Sequence, residues 1–154
     1  MINDTLKLRG RVTIEIRDAK TGRWKSRQTV KNLVVTLAKT AVANSLRGNV
    51  ANNKGQITFC AVGTGTNAPA LGNTTLQTEI YRKQISVRGS ELNIASFKTF
   101  FNQTEANGVL KEAGLFGESA TSTANSGTLF ARTVFNKTKT SSDTMTLTWT
   151  ITVG

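Results

Sequence analysis

Two glutamates, Glu79 and Glu112, are the residues whose type and setting come closest to catalytic chemistry. Both lie among apolar residues, and a pair of carboxylates is what glycoside hydrolysis requires. A buried carboxylate without a partner is costly, so each is expected to meet a backbone amide or an arginine. Arg82 is the natural partner. We therefore predict that Glu79, Arg82 and Glu112 form structural ion pairs and that the protein is not an enzyme.

Other residue types that support catalysis or metal binding are scarce. Histidine, the usual base that activates serine or cysteine, is absent, and the chain has a single cysteine, Cys60. Cys60 lies in an apolar run and is expected to be a small buried hydrophobe. The nine carboxylates are scattered along the chain. The sequence therefore predicts no metal site and no cofactor.

The segment Gly-Thr-Gly-Thr at residues 63–66 follows a predicted strand and superficially resembles a phosphate-binding loop. A P-loop needs Gly-Lys-Ser/Thr at the start of a helix, and a dinucleotide fingerprint needs a third glycine at fixed spacing. Neither pattern is present. We predict a glycine turn through which the chain leaves the sheet.

The alternation of apolar and polar residues predicts the strands that must position these residues. Residues 145–153 alternate apolar residues with threonine, which predicts one buried and one wet face and favours an antiparallel sheet. Residues 6–17 and 23–34 form a predicted hairpin with a turn at Gly22. Further strands are predicted at residues 57–62, 80–88, 91–101, 109–116 and 129–135, with Gly89 and Ser90 as the turn between 80–88 and 91–101.

Residues 36–47 have helical spacing instead, with Thr36 placed to cap the start and Gly48 to end the helix. The chain is therefore predicted to be mainly β: an antiparallel β-sandwich or flattened barrel of about eight strands with one packed α-helix. A length of 154 residues fits a single domain. Its predicted parts are a basic N-terminal hairpin (1–35), the helix (36–47) and a sheet core (56–153).

Positive charge is concentrated in the first third of the chain. Residues 1–54 carry a net charge of +9, and residues 55–154 carry +2. A basic region of this kind is expected to bind an acidic partner. The predicted partner-binding residues of the hairpin are Lys7, Arg9, Arg11, Arg17, Lys20, Arg23, Trp24, Lys25 and Arg27.

Nucleic acid is one possible acidic partner, because Trp24 could stack on a base between cationic side chains. No recognised nucleic-acid-binding motif accompanies it. Alternating lysine and arginine also protect a sheet edge from aggregation. A nucleic-acid-binding β module is therefore an alternative that the sequence does not favour.

Membrane association is not expected. No apolar run approaches the roughly 20 residues that a membrane-spanning helix needs. The first residues lack the basic-then-apolar order of a secretion signal. We expect a protein that is made and folded in a cytoplasm.

The order of short motifs in residues 57–153 resembles a known group of proteins. The motifs are Ile-Thr-Phe-Cys-Ala-Val-Gly-Thr-Gly-Thr at 57–66, Thr-Leu-Gln-Thr-Glu-Ile-Tyr-Arg at 75–82, Gly-Val-Leu-Lys-Glu-Ala-Gly-Leu-Phe-Gly at 108–117, Gly-Thr-Leu-Phe-Ala-Arg at 127–132, Lys-Thr-Lys at 137–139 and the threonine-rich last strand. This ordered set is similar to small virion proteins of tailed bacteriophages and to the N-terminal attachment domain of phage tail-collar fibres.

The resemblance implies a non-enzymatic virion structural protein. Fibre attachment domains are followed by a shaft and a receptor-binding tip, whereas this sequence stops at Gly154. The expectation is therefore a tail, baseplate or fibre-attachment adaptor, with a capsid decoration protein on the outer surface of the head as the alternative. The expected partners are other phage structural proteins with acidic surfaces and copies of the same chain in a ring or lattice. Whether the Ser/Thr-rich loop at residues 119–127 contacts a receptor is left open.

Overall fold

The computed structural model describes residues 6–46, 48 and 55–154. In this part of the chain one helix and nine strands occur. They are β1 (Leu8–Asp18), β2 (Trp24–Val34), α1 (Thr36–Leu46), β3 (Ile57–Gly63), β4 (Glu79–Gln84), β5 (Val87–Glu91), β6 (Ile94–Phe101), β7 (Gly108–Gly117), β8 (Thr128–Lys139) and β9 (Asp143–Val153). The predicted mainly-β fold with one helix is confirmed, with nine strands in place of about eight.

The strands form one antiparallel sheet in the order β4-β3-β7-β8-β2-β1-β9-β6-β5. The N-terminal hairpin is part of this sheet and not an appendage to it, since β2 pairs with β8 and β1 pairs with β9. Val12, Ile14 and Ile16 alternate with polar residues and would lie exposed in an isolated hairpin. In the sheet they are buried in the main hydrophobic core. Burial of this apolar face accounts for the central position of the hairpin.

The sheet is curled, and its two edge strands, β4 and β5, are consecutive in the chain. β4 pairs with β3, whereas β5, which follows β4, pairs with β6. At the corner between them the amide of Ile85 donates to the carbonyl of Thr58, and the amide of Ser86 donates to the carbonyl of Lys98. One continuous segment thereby links the two ends of the sheet into a half-barrel.

The predicted turn at Gly89 and Ser90 is wrong. Both residues lie inside β5, and the turn to β6 falls at Leu92 and Asn93. Leu92 has a φ of 52°, and the side-chain amide of Asn93 donates to the carbonyl of Val153 at 2.7 Å. Pairing of β6 with β9 therefore fixes the register and outweighs the local preference of glycine for turns.

The helix α1 packs against β8 through its buried residues Ala38 and Ala41. Its first amide, on Thr36, donates to the carbonyl of Leu71 at 2.9 Å. The predicted helix ended at Arg47, which lies outside the described residues. In the part of the chain that the structure describes, no helix is long and apolar enough to cross a membrane.

Within residues 6–46 and 55–154, buried apolar residues form two clusters. The larger lies inside the curl and contains, among others, Trp149, Leu147 and Leu115. The smaller contains Val35, Phe59, Ala61, Leu76, Phe116 and Leu129, with Ala120 packed against it. Two loops contribute to the smaller cluster, the 64–78 loop through Leu76 and the 118–127 loop through Ala120. These loops cover the outward side of β4, β3, β7 and β8.

Candidate functional site: two buried ion pairs and an outer sheet face

Charged residues follow two rows across β4, β3, β7 and β8, beneath the two loops. Residues directly opposite one another on neighbouring strands share a face of the sheet. One row consists of Arg82, Ala61, Gly114 and Arg132, and the next consists of Glu79, Gly63, Glu112 and Val134. Two arginines and two glutamates therefore share one face, with small residues between them.

Glu112 forms an ion pair with Arg132. Its Oε2 accepts hydrogen bonds from Nε of Arg132 at 3.0 Å and from Nη2 at 2.8 Å. The two side chains are at most 2% exposed. The remaining nitrogen, Nη1, donates to Oδ1 of Asn73 at 3.1 Å. The pair thereby ties the 64–78 loop to β7 and β8.

Three backbone amides complete the surroundings of the Glu112 carboxylate. Gly65 and Thr78 donate to Oε1 at 3.0 and 2.7 Å, and Gln77 donates to Oε2 at 3.0 Å. Burial by itself would raise the pKa of Glu112, but hydrogen bonds from the amides of Thr78 and Gln77 and from Arg132 outweigh burial and lower the pKa. Glu112 is therefore held ionised with both oxygens engaged, which suits a structural role.

Stability is expected to fall on acidification below pH 4.5, the ordinary pKa of a glutamate. Because folding lowers the pKa of Glu112, its contribution is fully present above that pH and is lost as the pH falls through the folded-state pKa. The measurement is the free energy of unfolding in urea between pH 7 and pH 3. Glu112→Gln should lose less stability than wild type over this range; equal losses would contradict the assignment.

Gly63 leaves room for the Glu112 carboxylate. A β-carbon on Gly63 would lie 2.2 Å from the carbonyl oxygen of Thr78 and 2.7 Å from Oε1 of Glu112. A β-carbon on Gly65 would lie 2.4 Å from the same Oε1. The two glycines of residues 63–66 therefore permit a close approach to a carboxylate of the protein itself.

The substitution Gly63→Ala is expected to lower the free energy of unfolding by about 1–3 kcal/mol, because the added methyl overpacks the carboxylate site. Chemical denaturation followed by tryptophan fluorescence measures this change. Gly72→Ala is the control in the adjoining 64–78 loop, since a β-carbon on Gly72 would meet no atom within 4 Å. A larger loss for Gly72→Ala than for Gly63→Ala would contradict the role of Gly63.

Glu79 and Arg82 form the second buried pair. Nε and Nη2 of Arg82 donate to Oε1 and Oε2 of Glu79 at 2.5 and 2.8 Å, and the side chains are 3% or less exposed. Nη1 of Arg82 donates to the carbonyls of Thr121 and Ser126 at 3.0 and 3.1 Å. The amide of Asn125 donates to Oε2 of Glu79 at 3.0 Å. This pair anchors the 118–127 loop.

The structure thus distributes the predicted residues between two separate pairs. Arg82 pairs with Glu79, whereas Glu112 pairs with Arg132, which the sequence prediction left out. A signal for Arg132 was present, because it is a charged residue inside the apolar run 129–135 and a charge in a buried strand needs an opposite charge.

The other half of the sheet turns one set of alternating residues outward. We call this set the outer face. From the strand pairing it consists of Arg27, Thr29 and Lys31 of β2; Arg9, Arg11, Thr13, Glu15 and Arg17 of β1; Thr144, Thr146, Thr148, Thr150 and Thr152 of β9; Ile94, Ser96, Lys98 and Phe100 of β6; and Val87, Gly89 and Glu91 of β5.

The outer face has three stripes of different chemistry. The β2 and β1 stripe is basic, and the β9 stripe is threonine throughout. The β6 and β5 stripe exposes apolar side chains, with Val87, Ile94 and Phe100 at 59%, 39% and 43% exposed. Apolar surface beside arginine and hydroxyl groups is typical of protein–protein interfaces.

Four of the predicted partner-binding residues are already engaged within the protein. Lys25 contacts Asp143 at 2.6 Å, Arg27 contacts Glu15 at 3.2 Å, and the guanidinium carbon of Arg17 lies 3.6 Å from the centre of the Trp24 ring. Lys25 is the extra residue of a bulge in β2. The Trp24 ring is therefore stacked on an arginine of its own hairpin.

The other predicted partner-binding residues are exposed cations without an ion pair to any described carboxylate: Lys7, Arg9, Arg11, Lys20 and Arg23. Of these, Lys20 and Arg23 lie in the β1–β2 connection, whereas Arg9 and Arg11 lie on the outer face. The fold adds Lys98 of β6 to the same face. Only the strand order shows this, since β6 is distant from the hairpin in sequence.

The described part of the chain contains no cluster of metal ligands and no reactive thiol. There, no group of three or more His, Cys, Asp or Glu side chains is placed to hold a metal ion. Cys60 is buried, and burial raises the pKa of its thiol to about 12. A thiol that stays protonated is a poor nucleophile.

Comparisons with models of known protein families, with curated proteins and with solved structures found no significant match. By geometry, the two buried pairs and the outer face stand out.

Proposed function

We propose that this chain is a non-enzymatic structural protein of a bacteriophage virion, an adaptor in the tail, baseplate or fibre-attachment region. The outer face is the observation that carries the proposal, since it combines basic, threonine and apolar stripes on one side of a five-stranded half-sheet. The order of motifs that resembles phage virion proteins supplies the biological setting.

The size of the outer face supports a docking role. Five strands about 4.8 Å apart, each contributing about nine residues at roughly 3.3 Å per residue, give an area of roughly 700 Å². One side of a standard protein–protein interface buries about 800 Å². The face is therefore large enough for a specific contact with one partner protein.

The buried glutamates support a role without catalysis. Both oxygens of Glu112 and both oxygens of Glu79 accept hydrogen bonds within the protein. Each carboxylate holds a loop against the sheet, and the two are bound to different arginines. A general acid or nucleophile needs access to substrate, which neither group has in this arrangement.

Assembly in several copies fits the same proposal, because virion components occur in symmetric arrays. The edge strand β5 is exposed along its whole length and could pair with a strand of another copy. Such pairing would leave most of the outer face open for a different protein. We therefore assign contacts between copies to surfaces such as the edge of β5, and not to the outer face.

The test is whether the chain belongs to phage particles. Particles purified from cells that produce this chain together with the phage should contain it, at a copy number that matches the symmetry of one component. When the particles are separated into heads and tails, finding the chain in the tail fraction would support an adaptor. Finding it in the head fraction would mean that the chain is a capsid decoration protein instead. Absence from purified particles would refute the proposal.

A further inference from the structure

Two positively charged residues face each other on the outer face, and this arrangement destabilises the sheet. Arg11 and Lys31 lie directly opposite each other on β1 and β2, and both are exposed. Side chains in this relation have β-carbons about 5 Å apart, and like charges there are destabilising. On the other side of Arg11 lies Thr150. No described carboxylate forms an ion pair with either cation.

Farther along the same two strands, a pair of opposite charges takes the place of the two like charges. Glu15 lies opposite Arg27, and their side chains form an ion pair at 3.2 Å. The sheet can therefore place an acid opposite a base on this face. At Arg11 and Lys31 it places two bases, which leaves a position between them for an anionic group from outside.

A second copy of this chain is a poor source of that group. Among the described Asp and Glu side chains, Glu91 is the only one with neither a hydrogen bond nor an ion pair. The others are engaged: Glu15, Asp18, Glu79, Glu105, Glu112, Glu118 and Asp143. With a net charge of +11, two copies that met through this face would repel each other.

The rest of the face favours a protein over nucleic acid. Val87 and Ile94 offer apolar contact area on the same face, which a phosphate backbone does not match. Trp24, which lies opposite Arg17 at the start of β2, is already stacked on that arginine. Nucleic acid would gain the charges and one exposed aromatic ring, Phe100, whereas a protein gains the charges and the whole apolar stripe.

We propose that Arg11 and Lys31 form a carboxylate-binding site for an acidic protein other than this chain, with Arg9 and Lys98 adding positive charge nearby. The assignment rests on the proposed function and names the partner of its outer face. Carboxylates bridge paired cations through charge-assisted hydrogen bonds, and complementary charge also guides the register of docking.

The key variant is Lys31→Glu, which places an acid opposite Arg11. Poly-L-glutamate serves as the carboxylate probe, and its affinity for the purified protein is measured at fixed ionic strength. The variant should bind the probe about 10-fold more weakly than wild type. Its Tm should rise by about 1–3 °C, because a like-charge pair becomes an ion pair. A purely structural role for Lys31 would predict a lower Tm.

Two controls keep the outcome specific. Lys39→Glu makes the same charge change at an exposed site on α1 and should weaken binding less than about 3-fold. The double variant Arg11→Lys with Lys31→Arg keeps both positive charges and should retain binding. If Lys39→Glu loses as much affinity as Lys31→Glu, or wild type fails to bind poly-L-glutamate, the site is refuted.

A duplex DNA of equal charge is the competing probe. Tighter binding of DNA than of poly-L-glutamate at the same salt, abolished by Lys31→Glu, would assign the site to nucleic acid and overturn the inference. If the binding experiments refute the carboxylate site, the proposal that the chain belongs to phage particles is still tested by particle purification. The two proposals are therefore tested independently.

Discussion

Replacing Glu112 with glutamine is expected to lower the free energy of unfolding by about 3–5 kcal/mol, the cost of breaking a buried ion pair from one side. Arg132 would keep its charge in a setting that is 2% exposed, without the carboxylate that now accepts from Nε and Nη2. The amide of the new glutamine would also face backbone donors such as Gly65. Urea denaturation at neutral pH measures the change.

Glu15→Gln is the matched control, because Glu15 pairs with the largely exposed Arg27. Surface pairs of this kind contribute less than about 1 kcal/mol. The double variant Glu112→Gln with Arg132→Met removes both charges and should cost less than the sum of the single changes. If Glu112→Gln cost no more than Glu15→Gln, the structural role assigned to the buried pair would be wrong.

Arg82→Met is expected to cost about 3–5 kcal/mol as well, because it leaves the Glu79 carboxylate buried and without its cation. The change also removes the donor to the carbonyls of Thr121 and Ser126. We therefore expect the 118–127 loop to open locally and to become the first site of cleavage by a non-specific protease. Denaturation gives the global loss, and mass spectrometry of the fragments locates the cleavage.

Arg23→Met removes the same side chain from an exposed position in the β1–β2 connection and should change the stability little. Its proteolysis pattern should match that of wild type. If the Arg82→Met protein resisted cleavage at residues 118–127 as well as the Arg23→Met protein does, the anchoring of this loop by Arg82 would be disproved.

The strands with strict alternation could be predicted from the sequence together with the face that each buries. In β9 the residues Met145, Leu147, Trp149 and Ile151 are buried while the threonines between them face outward. A period of two leaves little choice of face once one side is apolar. The helix could be predicted from the helical spacing of its apolar residues and from the glycine, Gly48, that ends it.

Features that depend on distant pairing could not be predicted in this way. Glu112 and Arg132 are 20 residues apart, and the sequence analysis named only Arg82 as a partner for the glutamates. The turn at Leu92 is set by the pairing of β6 with β9, which overrode the glycine signal at Gly89. The outer face likewise required the strand order, because its three stripes come from segments separated along the chain.

Imaging the assembled particle is the most direct test of the account. We predict that a cryo-EM reconstruction of phage particles containing this chain will show the outer face against a different structural protein. A carboxylate of that neighbour should lie within about 4 Å of Arg11 or Lys31. An outer face open to solvent, or covered by a second copy of this chain, would contradict the account.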